Sequence, residues 1–190
     1  MAGNGLDAIL FLISCVFDFY IMVLFVRLIL AWGNADYHHP LTQFVVKLTN
    51  FIIKPMKKYI PDFRGIETAT IILILLVVLL KYLVLTLLTY GMPNLGGLLI
   101  LTIGDTLRLL LETLSIALIL LAILSWMQPQ SPVYLILNKL TAPITRPLQR
   151  LIPLIAGVDI TPLVAIVILQ LLVILIANPI IAKGLAIAIG

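Results

Sequence analysis

Ser131–Pro162, SPVYLILNKLTAPITRPLQRLIPLIAGVDITP, has a lighter twin 92 positions earlier, where residues 40–70 read PLTQFVVKLTNFIIKPMKKYIPDFRGIETAT. At that offset Pro40 matches Pro132, Lys47 matches Lys139, and Leu48-Thr49 match Leu140-Thr141. Pro55 matches Pro147, Pro61 matches Pro153 and Gly65 matches Gly157. Lys54 and Lys58 answer Arg146 and Arg150, and Glu67 answers Asp159. Further upstream Trp32 pairs with Trp126 at an offset of 94. Such a series marks an internal duplication, with residues 1–92 as the first repeat and 93–190 as the second.

Outward from these twins the chain is apolar. Of its 190 residues 63% are hydrophobic and 11% charged, and the mean hydropathy is +1.24. Soluble domains are nearer half apolar and a quarter charged. Apolar runs long enough to cross a bilayer recur, which predicts an all-α integral membrane protein. Four spans are expected, at about 8–32, 68–90, 105–126 and 162–181, with 91–97 as the turn between halves. The first run lacks the basic flank and small-residue cleavage site of a signal peptide. The single cysteine, Cys15, allows no intramolecular disulfide and is expected to be a small packed side chain.

The twin stretches predict amphipathic helices at about 41–54 and 133–146. In the first, Leu41, Phe44, Val45, Leu48 and Ile52 form one stripe and Gln43, Lys47, Asn50 and Lys54 another. In the second the stripe is Ile136, Leu137, Leu140 and Ile144. Such helices lie in the membrane surface rather than crossing it. Thr161 is placed to cap a helix starting at Pro162, and Asp159 and Glu67 sit where a helix N-terminus favours negative charge.

Charge sets the orientation. The two connecting segments hold eight of the twelve basic residues: Lys47, Lys54, Lys57, Lys58 and Arg64, then Lys139, Arg146 and Arg150. Basic short loops stay cytoplasmic, so both termini are expected outside. The halves then run in the same sense, about a pseudo-two-fold along the membrane normal. Of these basic residues, Lys47, Lys54, Lys57, Lys58, Lys139, Arg146 and Arg150 are candidates for contact with anionic lipid headgroups, worth ~1 kcal/mol each, or with an acidic partner protein. Nucleic acid is a weaker candidate, because few aromatics accompany the charges.

Within the spans Asp18, Lys81, Arg108 and Glu112 form a candidate intramembrane cluster that is neutral as a group. Asp18 and Glu112 stand 14 residues before Trp32 and Trp126, or ~21 Å of helix. Lys81, 13 residues past Thr68, reaches nearly the depth of Asp18. Two pairs are expected, Asp18 with Lys81 and Arg108 with Glu112. An unpaired charge there costs ~2.5–3.5 kcal/mol. The cluster reads as polar glue between helices or as a proton or ion path. Ser14 and Ser115 nearby are ordinary packing residues. Catalytic patterns such as GxSxG, HExxH, a phosphate loop or CxxC do not occur. His38, His39 and Asp36 are the one grouping with metal-ligand chemistry, but the second repeat has no histidine, and a turn before Pro40 explains them better. No enzyme activity, metal or cofactor is expected.

Leu124-Ser125-Trp126, Pro132, Leu140-Thr141, Pro143, Arg146-Pro147, Arg150, Ile152-Pro153, Gly157, Asp159 and Thr161-Pro162 resemble the signature of the YggT family of small membrane proteins. The resemblance covers nearly the whole chain. The first copy departs at Ala31, at Lys54 and Met56 around Pro55, and at Glu67. The resemblance implies a bacterial plasma-membrane protein without established enzymatic activity. Bacterial relatives are associated with osmotic-stress tolerance and potassium homeostasis. Plastid relatives are associated with haem attachment to the cytochrome b6f complex and with nucleoid distribution. The expected role is support of membrane organisation or complex assembly, with the lipid bilayer, a membrane partner or a second copy as partner. The alternative is ion or proton transport along the intramembrane charges.

Overall fold

The computed structural model describes residues 3–32, 40–63, 67–150 and 160–190. Asp36, His38, His39, Arg64, Gly65, Ile152, Pro153, Gly157 and Asp159 lie outside the described residues. All regular elements among those described are helical: α1 (Gly3–Trp32), α2 (Pro40–Met56), α3 (Thr68–Thr89), α4 (Leu95–Met127), α5 (Pro132–Gln149), α6 (Thr161–Leu172), a π-helical turn (Val173–Ala177) and α7 (Asn178–Ile189). Four stretches are long and apolar enough to cross a bilayer: Gly5–Ala31, Thr68–Thr89, Leu95–Met127 and Thr161–Ile189. The chain is a multi-pass α-helical membrane protein. Its outer surface carries side chains such as Phe11, Val16 and Leu175, each about two-thirds exposed, which only lipid tolerates at this density.

The third span starts ten residues before Asp105. The Asn94 side chain accepts a hydrogen bond from Gly96 N (2.8 Å) and caps α4 there. The turn between halves is therefore short, and it runs through Gly91 at φ +91°, a conformation that favours glycine. At 33 residues α4 is ~50 Å long, against a hydrocarbon core of ~30 Å. It is the hub of the bundle and packs against α1, α3, α5, α6 and α7.

The fourth span is also longer than expected and is broken by the π turn. Pro179 follows that turn. Its ring cannot fit under a regular preceding turn, and widening the helix relieves the clash. Thr161 is the first residue of α6 rather than its cap, and Ile160 holds the cap position without a side-chain bond. The α5 helix runs through Pro143 and Pro147 to Gln149, with Pro132 at its first turn and the Ser131 hydroxyl accepting from Tyr134 N (3.1 Å).

Three apolar cores hold the bundle. Ile21, Leu24, Ile53, Ile74 and Val78 join α1, α2 and α3. Val23, Leu30, Val45, Leu121 and Leu137 join α1, α2, α4 and α5. Leu118, Ala165, Leu169 and Val173 join α4 to the fourth span. The face that α2 turns inward is Thr42, Val45, Thr49 and Ile53, while Leu41, Phe44, Leu48 and Phe51 point away from the bundle. Of the apolar stripe read from the sequence, only Val45 is fully buried against protein. Thr49 and Thr141 sit on the inward faces of α2 and α5 with their hydroxyls bonded back to the carbonyl four residues earlier, Val45 O (2.6 Å) and Leu137 O (2.9 Å). Cys15 is exposed on α1, not packed as its apolar surroundings suggested, because the buried face of α1 is formed by residues further along.

Candidate functional site

Among the described residues, charge inside the bundle is gathered at two places. The deeper one centres on Lys81 of α3, which is 3% exposed. Its Nζ lies 2.5 Å from Asp18 Oδ1 on α1 and 2.7 Å from Asp105 Oδ2 on α4. Asp105 is completely buried, and Arg108 Nη2 stands 2.8 Å from its Oδ1. That contact is close but not aligned as a hydrogen bond. Arg108 Nε is 3.8 Å from Glu112 Oε1. Asp18 thus meets Lys81 as their depths required, whereas Arg108 lies nearer Asp105 than Glu112. The ladder Asp18–Lys81–Asp105–Arg108–Glu112 ties three helices together. It holds three carboxylates against two cations, so the group is not neutral.

A third span taken from 105 leaves Asp105 at its end rather than within it. The Asn94 cap was the signal that would have moved the start outward and put Asp105 inside the membrane. Among the described residues the ladder has no counterpart on the fourth span. At the 92-residue offset the place of Lys81 is taken by Val173, the first residue of the π turn. Glu112, the equivalent of Asp18, turns to Arg108 on its own helix instead. Ser115, near Glu112, is buried and bonds to Leu111 O (2.9 Å).

The second place lies where α1, α2 and α3 meet. Arg27 of α1, 7% exposed, was not among the charges singled out within the spans. Its Nε donates to Glu67 Oε2 (2.9 Å), and its Nη1 donates to Thr49 Oγ1 (2.7 Å) and Asn50 Oδ1 (2.8 Å). Lys57 Nζ donates to Glu67 Oε1 (2.7 Å) and Asp62 Oδ2 (3.0 Å), and Thr70 Oγ1 to Glu67 Oε2 (2.8 Å). Glu67 stands at the N-cap position of α3, as expected, but its side chain makes no cap bond. Arg27 could have been found as the lone base in its apolar run, five residues before Trp32 and so near the depth of Glu67.

Burial pushes the Glu67 carboxyl up, but the hydrogen bonds from Arg27, Lys57 and Thr70 outweigh it and hold the group at about 2. Burial pushes the Lys57 ammonium down, and its bonds to Glu67 and Asp62 outweigh that and raise it. A depressed carboxyl adds stability that is present above its unfolded value, ordinarily 4.5, and lost as pH falls through its folded value. The stability advantage of wild type over Glu67→Gln should therefore shrink between about pH 4.5 and 2 and stay level from pH 5 to 8. Thermal melts of both proteins in detergent across that range measure it. A constant difference down to pH 2 would contradict the assignment.

The other basic residues of the connecting segments fall apart into separate surfaces. Lys47, Lys54 and Lys58 on the first segment, and Lys139, Arg146 and Arg150 on the second, are exposed. Lys57 is the exception, since two carboxylates hold it. Trp126 is 69% exposed at the end of α4, Pro132 and Pro147 lie in α5, and Pro162 is buried at the start of α6.

No solved structure matches the chain. A relative from Escherichia coli strain K12, named YggT, is 34% identical over 170 residues, covering 88% of each chain. A protein of Vibrio alginolyticus is 35% identical over 168 residues, covering 87% of this chain and 91% of its own. One of Pseudomonas aeruginosa is 34% identical over 178 residues, covering 90% and 89%. The CCB3/YggT family model matches residues 6–88 and 100–180. One matched segment contains Arg27, Glu67 and the Asp18–Lys81 pair, and the other contains Asp105, Arg108 and Glu112. With both halves and both ion networks inside those limits, the chain belongs to the CCB3/YggT family.

Proposed function

We propose that this chain is a non-enzymatic protein of the bacterial plasma membrane that supports membrane organisation or complex assembly and, through it, osmotic-stress tolerance. The observation that carries the reading is the state of Lys81. It is held between two carboxylates from two other helices at 3% exposure, which suits a bolt between helices better than a group that must exchange protons or ions. The two half-repeats share one plan in this reading. The α2 and α5 helices lie at the cytoplasmic face, the termini lie outside, and the halves are related by a pseudo-two-fold along the membrane normal. A cysteine placed at Gln149 in a Cys15-free background is expected to react with impermeant reagent from the cytoplasmic side alone. Labelling from outside intact cells would reverse the orientation.

The exposed bases then meet anionic headgroups or an acidic partner. Changing Lys54, Lys58, Arg146 and Arg150 to glutamine should weaken membrane or partner association and lower survival of hyperosmotic shock at unchanged abundance. Asp18→Asn with Glu112→Gln should act only as far as it lowers abundance. One observation favours a second reading, ion or proton transport: the ladder has a carboxylate in excess, and the Asp18 and Glu112 side chains are 31% and 41% exposed. A potassium or proton flux through purified protein in liposomes, abolished by that acidic double change, would replace the first reading with the second.

A further inference from the structure

Beside the Arg27–Glu67 cluster lies a cavity of about 390 Å³ between α1 and α2. Arg27, Lys54 and Lys57 line it against one acid, Glu67, so its formal charge is +2. Two of its cations are already fixed in place, since Glu67 holds both Arg27 and Lys57. Adjoining it is a second, apolar cavity of about 190 Å³ between α1, α2, α4 and α5. Leu30, Thr42 and Val45 belong to the walls of both. Thr42, 1% exposed at that junction, has a buried hydroxyl with no hydrogen-bond partner among the described residues. A buried hydroxyl without a partner ordinarily costs stability.

A cationic chamber that shares three wall residues with an apolar one, with an unused hydroxyl at their border, matches the outline of an anionic amphiphile. A free phosphate would leave the apolar chamber empty, and a neutral lipid would leave the positive charge uncompensated. We propose that the first half of the chain binds one anionic glycerophospholipid of the cytoplasmic leaflet. Its phosphate faces Arg27, Lys54 and Lys57, an ester or phosphate oxygen accepts from Thr42, and an acyl chain lies along Val26, Ala117 and Leu120. The second half has no equivalent of Arg27, where the 94-residue offset gives Leu121, so one lipid binds per chain. The proposal rests on the orientation given above, which cysteine labelling decides independently of any lipid.

Full-length protein purified in mild detergent should keep one phosphatidylglycerol per chain in native mass spectrometry, under washing that strips phosphatidylethanolamine. Lys54→Glu, at an exposed position, should lower that retention about tenfold, and so should Leu120→Trp, at the groove's partly exposed edge. Arg146→Gln with Arg150→Gln should leave it unchanged while reducing adhesion to anionic vesicles. Thr42→Val separates the site from a structural role. It should weaken phosphatidylglycerol binding several-fold and leave the lipid-free protein equally or more heat-stable. Equal retention of the two lipids, full retention in Lys54→Glu and Leu120→Trp, or glycerol 3-phosphate competing as well as the intact lipid would each overturn the proposal. Loss of vesicle adhesion with no tightly held lipid in wild type would overturn the site and leave the surface-helix reading standing.

Discussion

Gly184→Leu should detach α7 from α4 and leave little folded protein. A Cβ built at Gly184 falls 2.7 Å from the backbone nitrogen of Leu101 and 3.1 Å from the Ile100 carbonyl carbon. Backbone of the hub helix cannot withdraw as a flexible side chain would. The seam is narrow along its length: Gly97 lies against Ala188, and a Cβ at Gly104 would come within 2.9 Å of Ile180 and Ile181 side-chain atoms. Asn94 N also donates to Ala188 O (3.0 Å), so the start of α4 is tied to the end of α7. In lipid, where no hydrophobic force draws helices together, close backbone approach at small residues is a main source of association. Overpacking of this kind costs roughly 1–3 kcal/mol in adaptable cores, and an unyielding backbone places Gly184→Leu at or above the top of that range. Gly184→Ala should be intermediate. Gly5→Leu, with nothing within 4 Å, should change little. Melting temperature and yield in detergent measure all three. Equal stability of Gly184→Leu and Gly5→Leu would show that α4 and α7 do not meet this way.

Lys81→Met should be the most damaging change in the charge ladder. It leaves Asp18 without its cation and leaves Asp105, with no exposure at all, only the unaligned contact to Arg108. Removing one partner of a buried ion pair costs roughly 3–5 kcal/mol. Asp18→Asn should be milder, because Lys81 keeps Asp105 and the Asp18 side chain is 31% exposed. In double-mutant cycles, Lys81→Met with Asp105→Asn should recover most of the single loss, and Lys81→Met with Asp18→Asn less of it. Strict additivity in both cycles would mean that the three residues do not share one network.

Much of this protein was legible from its residues. Length and hydropathy determined the four crossings, since a span needs only ~20 apolar residues whatever its neighbours are. Depth along two helices determined that Asp18 and Lys81 could meet, because helical rise is fixed by backbone geometry. The twin stretches marked two further helices, expected at about 41–54 and 133–146 and found at Pro40–Met56 and Pro132–Gln149. Only the tertiary structure decided the rest. An acid ten residues into a helix reads like one at its start unless the cap is placed, so the burial of Asp105 follows only from α4 beginning at Leu95. The apolar stripe of α2 gave no warning that Thr42 and Thr49 would face the protein while Phe44 and Leu48 face away. In a membrane both surroundings are apolar, so hydrophobic periodicity cannot tell a lipid-facing side from a packed one. The partners of Arg27, 22 to 40 residues away in sequence, were fixed only when three helices came together around Glu67.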